Sequence, residues 1–182
     1  MTLVEEMLAA GRGLFALVTG RRDASRYYDL TQRGLVGSFI ALIVATTINT
    51  YLPFLQATPV EGASAWQVLL FAASIYAMQI GFAAIVLNQF NRLDGLVPYL
   101  VADNWATFFV TALTIGLSLA GIGGASAILF LGVLVLIIEI NIARLILTLS
   151  PLQIAAFLIS QLVAGFMGLM ILGAFFPMPA GI

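Results

Sequence analysis

Five long apolar runs narrow the choice of fold more than any other feature of the chain. They occupy residues 35–55, 66–87, 97–120, 125–149 and 152–176. Each is near or above the ~20 residues that carry a helix across a ~30 Å hydrocarbon core. The chain is 62% hydrophobic and 8% charged, against about 25% charged in an ordinary soluble domain. Water is therefore the wrong solvent for most of it. The expected fold is all-α: a polytopic membrane bundle of about five transmembrane helices, preceded by an interfacial amphipathic helix. With 182 residues there is room for one bundle and no second domain of any size. The first run begins too late, runs too long and lacks the small-residue pattern of a cleavable signal peptide.

Cysteine and histidine are both absent. No disulfide or thiolate ligand is available, the redox compartment is left open, and the commonest zinc ligand and general base are missing. Gly121, Gly123 and Gly124 form a turn with no following lysine, so they are not a phosphate-binding loop. Serine and threonine have no histidine or lysine to activate them. The sequence predicts no enzyme, no catalytic or metal site and no cofactor.

Orientation follows from the basic residues, all seven of which are arginine: Arg12, Arg21, Arg22, Arg26, Arg33, Arg92 and Arg144. With the N-terminus inside, loops 1–34, 88–96 and 148–152 are cytoplasmic and loops 56–65 and 121–124 external. The external loops then hold Glu61 and no arginine, as the positive-inside rule requires. The expectation is N-in, C-out in a bacterial cytoplasmic membrane, with residues 1–34 as an arginine-rich lead-in, 35–176 as the transmembrane domain and 177–182 as an external tail. Arginine clustered before a first span orients a membrane protein and argues for no nucleic-acid partner.

Within the lead-in, Val4, Met7, Leu8, Gly11, Leu14, Phe15 and Val18 recur at helical spacing, with Glu5, Glu6 and Arg12 elsewhere on the wheel. This predicts a helix lying in the cytoplasmic membrane interface, in contact with lipids.

Small residues mark helix–helix seams. The first span offers Gly34, Ser38, Ala41, Ala45 and Asn49. The second offers Gln67, Ser74, Ala77, Gly81, Ala84 and Asn88, and the fifth Ser160, Ala164 and Gly168 with Gln161 and Gly165 beside them. The third span is more polar: Asp103, Thr107, Thr111, Thr114 and Ser118 share a sector about 80° wide. Such a stripe either packs, with hydroxyls bonded to their own helix, or lines a polar path. The fourth span carries Glu139 near its midpoint on a face with Ala125, Gly132, Ala143 and Ser150. A second polar stripe holds Asn141, Arg144 and Thr148, so this span is expected at the centre of the bundle. Helical rise puts Asp103 and Arg144 at similar depths of ~8–9 Å from the inner end, which predicts an Asp103–Arg144 ion pair. Glu139, lacking an opposite charge at its depth, is expected to be protonated or to face water.

The segment Asn91-Arg92-Leu93-Asp94-Gly95-Leu96-Val97-Pro98-Tyr99 resembles the short Gly-containing inner loop of the Yip1-like family of small membrane proteins. The run Ile142-Ala143-Arg144-Leu145 is similar to that family's inner end of the fourth span. The resemblance implies a cytoplasmic N-terminal segment, an amphipathic lead-in and five spans ending outside.

Two functions fit these readings. In the first, the chain is a non-enzymatic scaffold or accessory subunit, partnered by other membrane proteins or by copies of itself, and its buried polar residues are structural. In the second, it is a small oligomeric transporter or channel for protons or small polar solutes, using Asp103, Thr107, Thr111, Glu139, Asn141 and Arg144.

Overall fold

The computed structural model describes residues 2–55 and 65–175. Among these, six α-helices and no strands are formed: α1 Leu3–Val18, α2 Gln32–Leu55, α3 Ala65–Gln89, α4 Leu96–Leu119, α5 Ala125–Asn141 and α6 Pro151–Phe175. Five stretches within the helical segments from α2 onward are long and apolar enough to cross a membrane, matching the five expected runs. The 56–64 part of the second connection, with Glu61, and the tail at 177–182 lie outside the described residues.

Local chemistry sets the helix ends. Thr2 and Glu5 form a capping box, Thr2 Oγ1 accepting from Glu5 N–H at 3.3 Å and Glu5 Oε2 from Thr2 N–H at 2.8 Å. Helices α1, α3 and α4 end at left-handed residues, Gly20, Asn91 and Gly121. In each case the next N–H turns back on the last helical turn, as with Arg92 N–H to Leu87 O at 2.8 Å. Pro151 opens α6, where a missing N–H costs nothing.

The most extensive packing joins α2 to α4 and α3 to α6. The seam expected on the first span holds: Ser38, Ala41 and Ala45 are buried, while Asn49 is exposed. The fifth-span seam holds too, with Ala164 buried and Gly168 close against Ile75 of α3. The seam on the second span does not. Ala77, Gly81 and Asn88 are exposed, and α3 turns Tyr76, Ile80, Ala83 and Leu87 inward instead. Small size permits close approach but does not compel it, and the larger residues on the other face make more van der Waals contact with neighbouring helices.

The bundle centres on α4, which buries Tyr99, Leu100, Val101, Ala102, Asn104, Trp105 and Ala106. Helix α5 was expected there, but it exposes Ile128, Leu129, Phe130 and Val133. Its polar residues find partners without central placement, as described below, and its apolar flank is left for lipid.

Helix α1 also departs from expectation. It packs against α4 and α5, and its protein-facing stripe is Glu6, Ala10, Gly13 and Leu17. Val4, Leu8 and Phe15 are more than half exposed, at 61%, 58% and 63%. Glu6 was placed on the polar face, yet it is buried: its Oε1 accepts from Trp105 Nε1–H at 3.4 Å, and its carboxylate lies against Gly37 of α2. Gly11 abuts Phe109, midway along α4. The small residues let α1 approach the bundle flank, and the large apolar residues face outward.

Burial raises the pKa of the Glu6 carboxyl. The Trp105 hydrogen bond and the Arg33 charge oppose the rise, and Asp29 adds to it. The folded state therefore holds this proton more tightly than the unfolded chain, and stability falls as pH climbs from the unfolded carboxylate value through the raised folded one. Glu6→Gln keeps an acceptor for Trp105 and removes the buried charge. It should raise the unfolding midpoint in detergent at about pH 7.5, with the gain closing near pH 4, below the unfolded carboxylate value of ~4.3. A gain of equal size at both pH values would count against a buried charge at Glu6.

Candidate functional site

A cavity of about 1060 Å³ opens between the five long helices, and each of the five contributes to its wall. That is at the upper end of the ~300–1,000 Å³ typical of small-molecule sites. Most of the lining is apolar, including Ile43, Leu69, Leu136, Leu158 and Leu162. A polar cluster of Tyr76, Gln79, Tyr99, Asp103, Glu139 and Gln161 interrupts it.

The two carboxyl groups meet: Asp103 of α4 and Glu139 of α5 both line the cavity and lie within side-chain hydrogen-bonding reach of each other. Helical rise explains the meeting. Asp103 lies seven residues after the start of α4 at Leu96, and Glu139 seven residues before the end of the helical segment at Ile146. At ~1.5 Å per residue both sit about 10 Å from the same end of the bundle.

The expected Asp103–Arg144 pair is absent. After Asn141 the α-helix widens into a π-helical turn, Ile142–Ile146, with Leu147 N–H bonded to Ile142 O at 3.0 Å and Thr148 left-handed. Arg144 thus lies two residues from the helix end, shallower than Asp103. It is exposed, and its Nη2 donates to Gly20 O at 3.4 Å. Asn141 is buried and donates to Leu17 O at 2.8 Å. Thr148 accepts from Arg92 Nη2 at 2.6 Å, and the same nitrogen reaches Leu147 O at 2.6 Å. The second polar stripe of the fourth span therefore docks α1 and clamps the arginine-rich connections together. It is no part of the cavity.

The threonine stripe of α4 divides as well. Asp103 and Thr107 line the cavity; Thr111 is outside the lining, and Thr114 donates to Val110 O of its own helix at 2.8 Å. Of the six residues singled out from sequence, Asp103, Thr107 and Glu139 belong to one site.

Other members were not foreseen. Tyr76 donates to Asn104 Oδ1, Asn104 Nδ2 donates to Ser38 Oγ at 3.0 Å, and Ser38 Oγ donates to Leu35 O at 2.9 Å. This chain ties α3, α4 and α2 together beside the carboxyl pair. Tyr99 is buried edge-on against Phe157 of α6, with ring centroids 5.0 Å apart. Asn104 lies ~100° round the helix from Asp103 and so escaped the stripe, although an asparagine in an apolar span is itself a signal. Gln161, read as a seam residue, has its Nε2 buried without a hydrogen-bond partner. No cluster of three potential metal ligands occurs among the described residues.

These features define a polytopic helical membrane protein with a polar-floored central cavity. The chain matches no protein-family model, no curated protein and no solved structure.

Proposed function

We propose that the protein is a non-enzymatic membrane carrier that moves a small solute through its central cavity, with proton exchange at the Asp103–Glu139 pair. The observation that carries this reading is the pair itself: two adjoining carboxyl groups in the wall of a cavity that has no basic residue in its lining. Intramembrane carboxyl groups are costly, and those retained without a counter-charge mark proton or ion pathways. A scaffold has no need of such a pair inside an open cavity. Its polar requirements are met by the Tyr76–Asn104–Ser38 chain and by the docking of α1.

The arginines gather at one end of the bundle, where Arg92 and Arg144 bridge the connections. With that end in the cytoplasm, as the positive-inside rule directs, the pair is reached from the cytoplasmic half of a bacterial inner membrane. The Yip1-like layout enters this reading as a topology only.

The test uses proteoliposomes of the full chain enclosing a pH-sensitive dye, with an imposed pH gradient and a panel of small cations, neutral polar solutes and anions. At least one solute should drive saturable proton movement, reduced at least about tenfold by Glu139→Gln and by Asp103→Asn. Absence of solute-driven proton movement across the panel, with stoichiometric co-purification of another membrane protein in mild detergent, would replace the carrier with a scaffold.

A further inference from the structure

We infer that the cargo is a monovalent organic ammonium ion with an apolar body, an inference that rests on the carrier reading and names its substrate class. The cavity is too large for a bare inorganic cation, and its wall is mostly apolar. Such a wall binds by removing apolar surface from water. Its charged capacity has one sign, since the lining contains two carboxyl groups and no arginine. An anion would meet repulsion there, whereas an ammonium group meets the oxygens of two carboxyl groups.

An ammonium ion and a proton compete for the same oxygens of Asp103 and Glu139, so binding weakens as pH falls. The other titratable groups around the pair are Tyr76 from α3 and Tyr99 from α4. The polar residues that α2 and α6 contribute to the lining, Thr46, Thr47 and Gln161, do not titrate.

The experiment is isothermal titration of the purified full chain in detergent with 2-phenylethylammonium chloride, and with 2-phenylethanol and phenylacetate as neutral and anionic controls. The ammonium ion should bind saturably, at least about tenfold more tightly than either control, and its Kd should rise between about pH 8 and pH 5. Glu139→Gln should weaken it by at least about tenfold. Should that variant fail to fold, Leu158→Trp, which fills the apolar wall from α6, a helix that carries neither carboxyl group, should still abolish binding. Equal affinity for the alcohol, or unchanged affinity in either folded variant, would overturn the assignment. Ammonium binding with no solute-driven proton movement would remove the carrier reading and leave the ligand class standing. Proton movement driven by a solute other than an ammonium ion, with no ammonium binding, would remove the ligand class alone.

Discussion

Gly34→Ala should lower the thermal unfolding midpoint in detergent by roughly 5–15 °C, the equivalent of about 2–4 kcal/mol. A Cβ at this position would lie 1.8 Å from the backbone carbonyl oxygen of Asp29 and 2.7 Å from its carbon. A backbone atom cannot rotate away as a flexible side chain would. The Asp29 segment is itself held, because Asp29 Oδ1 accepts from Thr31 N–H at 3.2 Å and from Thr31 Oγ1–H at 2.6 Å. Thr31 O in turn accepts from Leu35 N–H at 3.0 Å. Relief of the clash requires either this turn to open or the start of α2 to shift away from α4. Gly81→Ala is the control. It too is a helical glycine in an apolar helix, but nothing lies within 4 Å of its Cβ position, so the gain in helix propensity of ~1 kcal/mol should leave it neutral or slightly stabilised. Equal midpoints for the two variants would show that the Asp29 turn does not rest on α2.

Asn104→Leu should destabilise the protein by about 2–3 kcal/mol, measured by the same unfolding assay. Asn104 is fully buried and uses both ends of its amide, accepting from the Tyr76 hydroxyl and donating to Ser38. Leucine has the same branched shape and number of heavy atoms, so the loss comes from two polar partners left in an apolar interior rather than from a cavity. Hydrogen bonds between membrane helices average near 0.6 kcal/mol and reach about 1.7, which bounds the effect. Ser38→Ala should cost less, under about 1 kcal/mol, because Asn104 keeps its bond with Tyr76. If Ser38→Ala proved as damaging as Asn104→Leu, the connection from α3 through Asn104 would contribute nothing.

Much of this architecture was legible without coordinates. The number of spans, their bounds to within a few residues and the seams on α2 and α6 follow from apolar run length and from residues three and four apart. Asp103, Thr107 and Glu139 stood out because polar groups in apolar helices need a reason. Pairing was a different matter. Asp103 was matched with Arg144 by counting along an ideal helix, and the π turn at Ile142–Ile146 removed the register on which that count rested. Glu6 was assigned to water by its charge, yet an indole N–H and a glycine in a neighbouring helix made a place for it inside.

The sequence alone determined that the chain needs lipid, that it crosses the membrane five times as helices, and where its costly polar atoms lie along each span. Those are one-dimensional quantities, set by transfer free energy summed over a run of residues. Tertiary structure decided which polar atom meets which. It joined two acids where a salt bridge was expected, placed α4 and not α5 at the centre, and put Asp103 and Thr107, but not Thr111, on a cavity. In lipid the hydrophobic effect does not choose between helix faces, so rotation and depth are settled by shape fit and by hydrogen bonds between helices. Both depend on residues far apart in the chain.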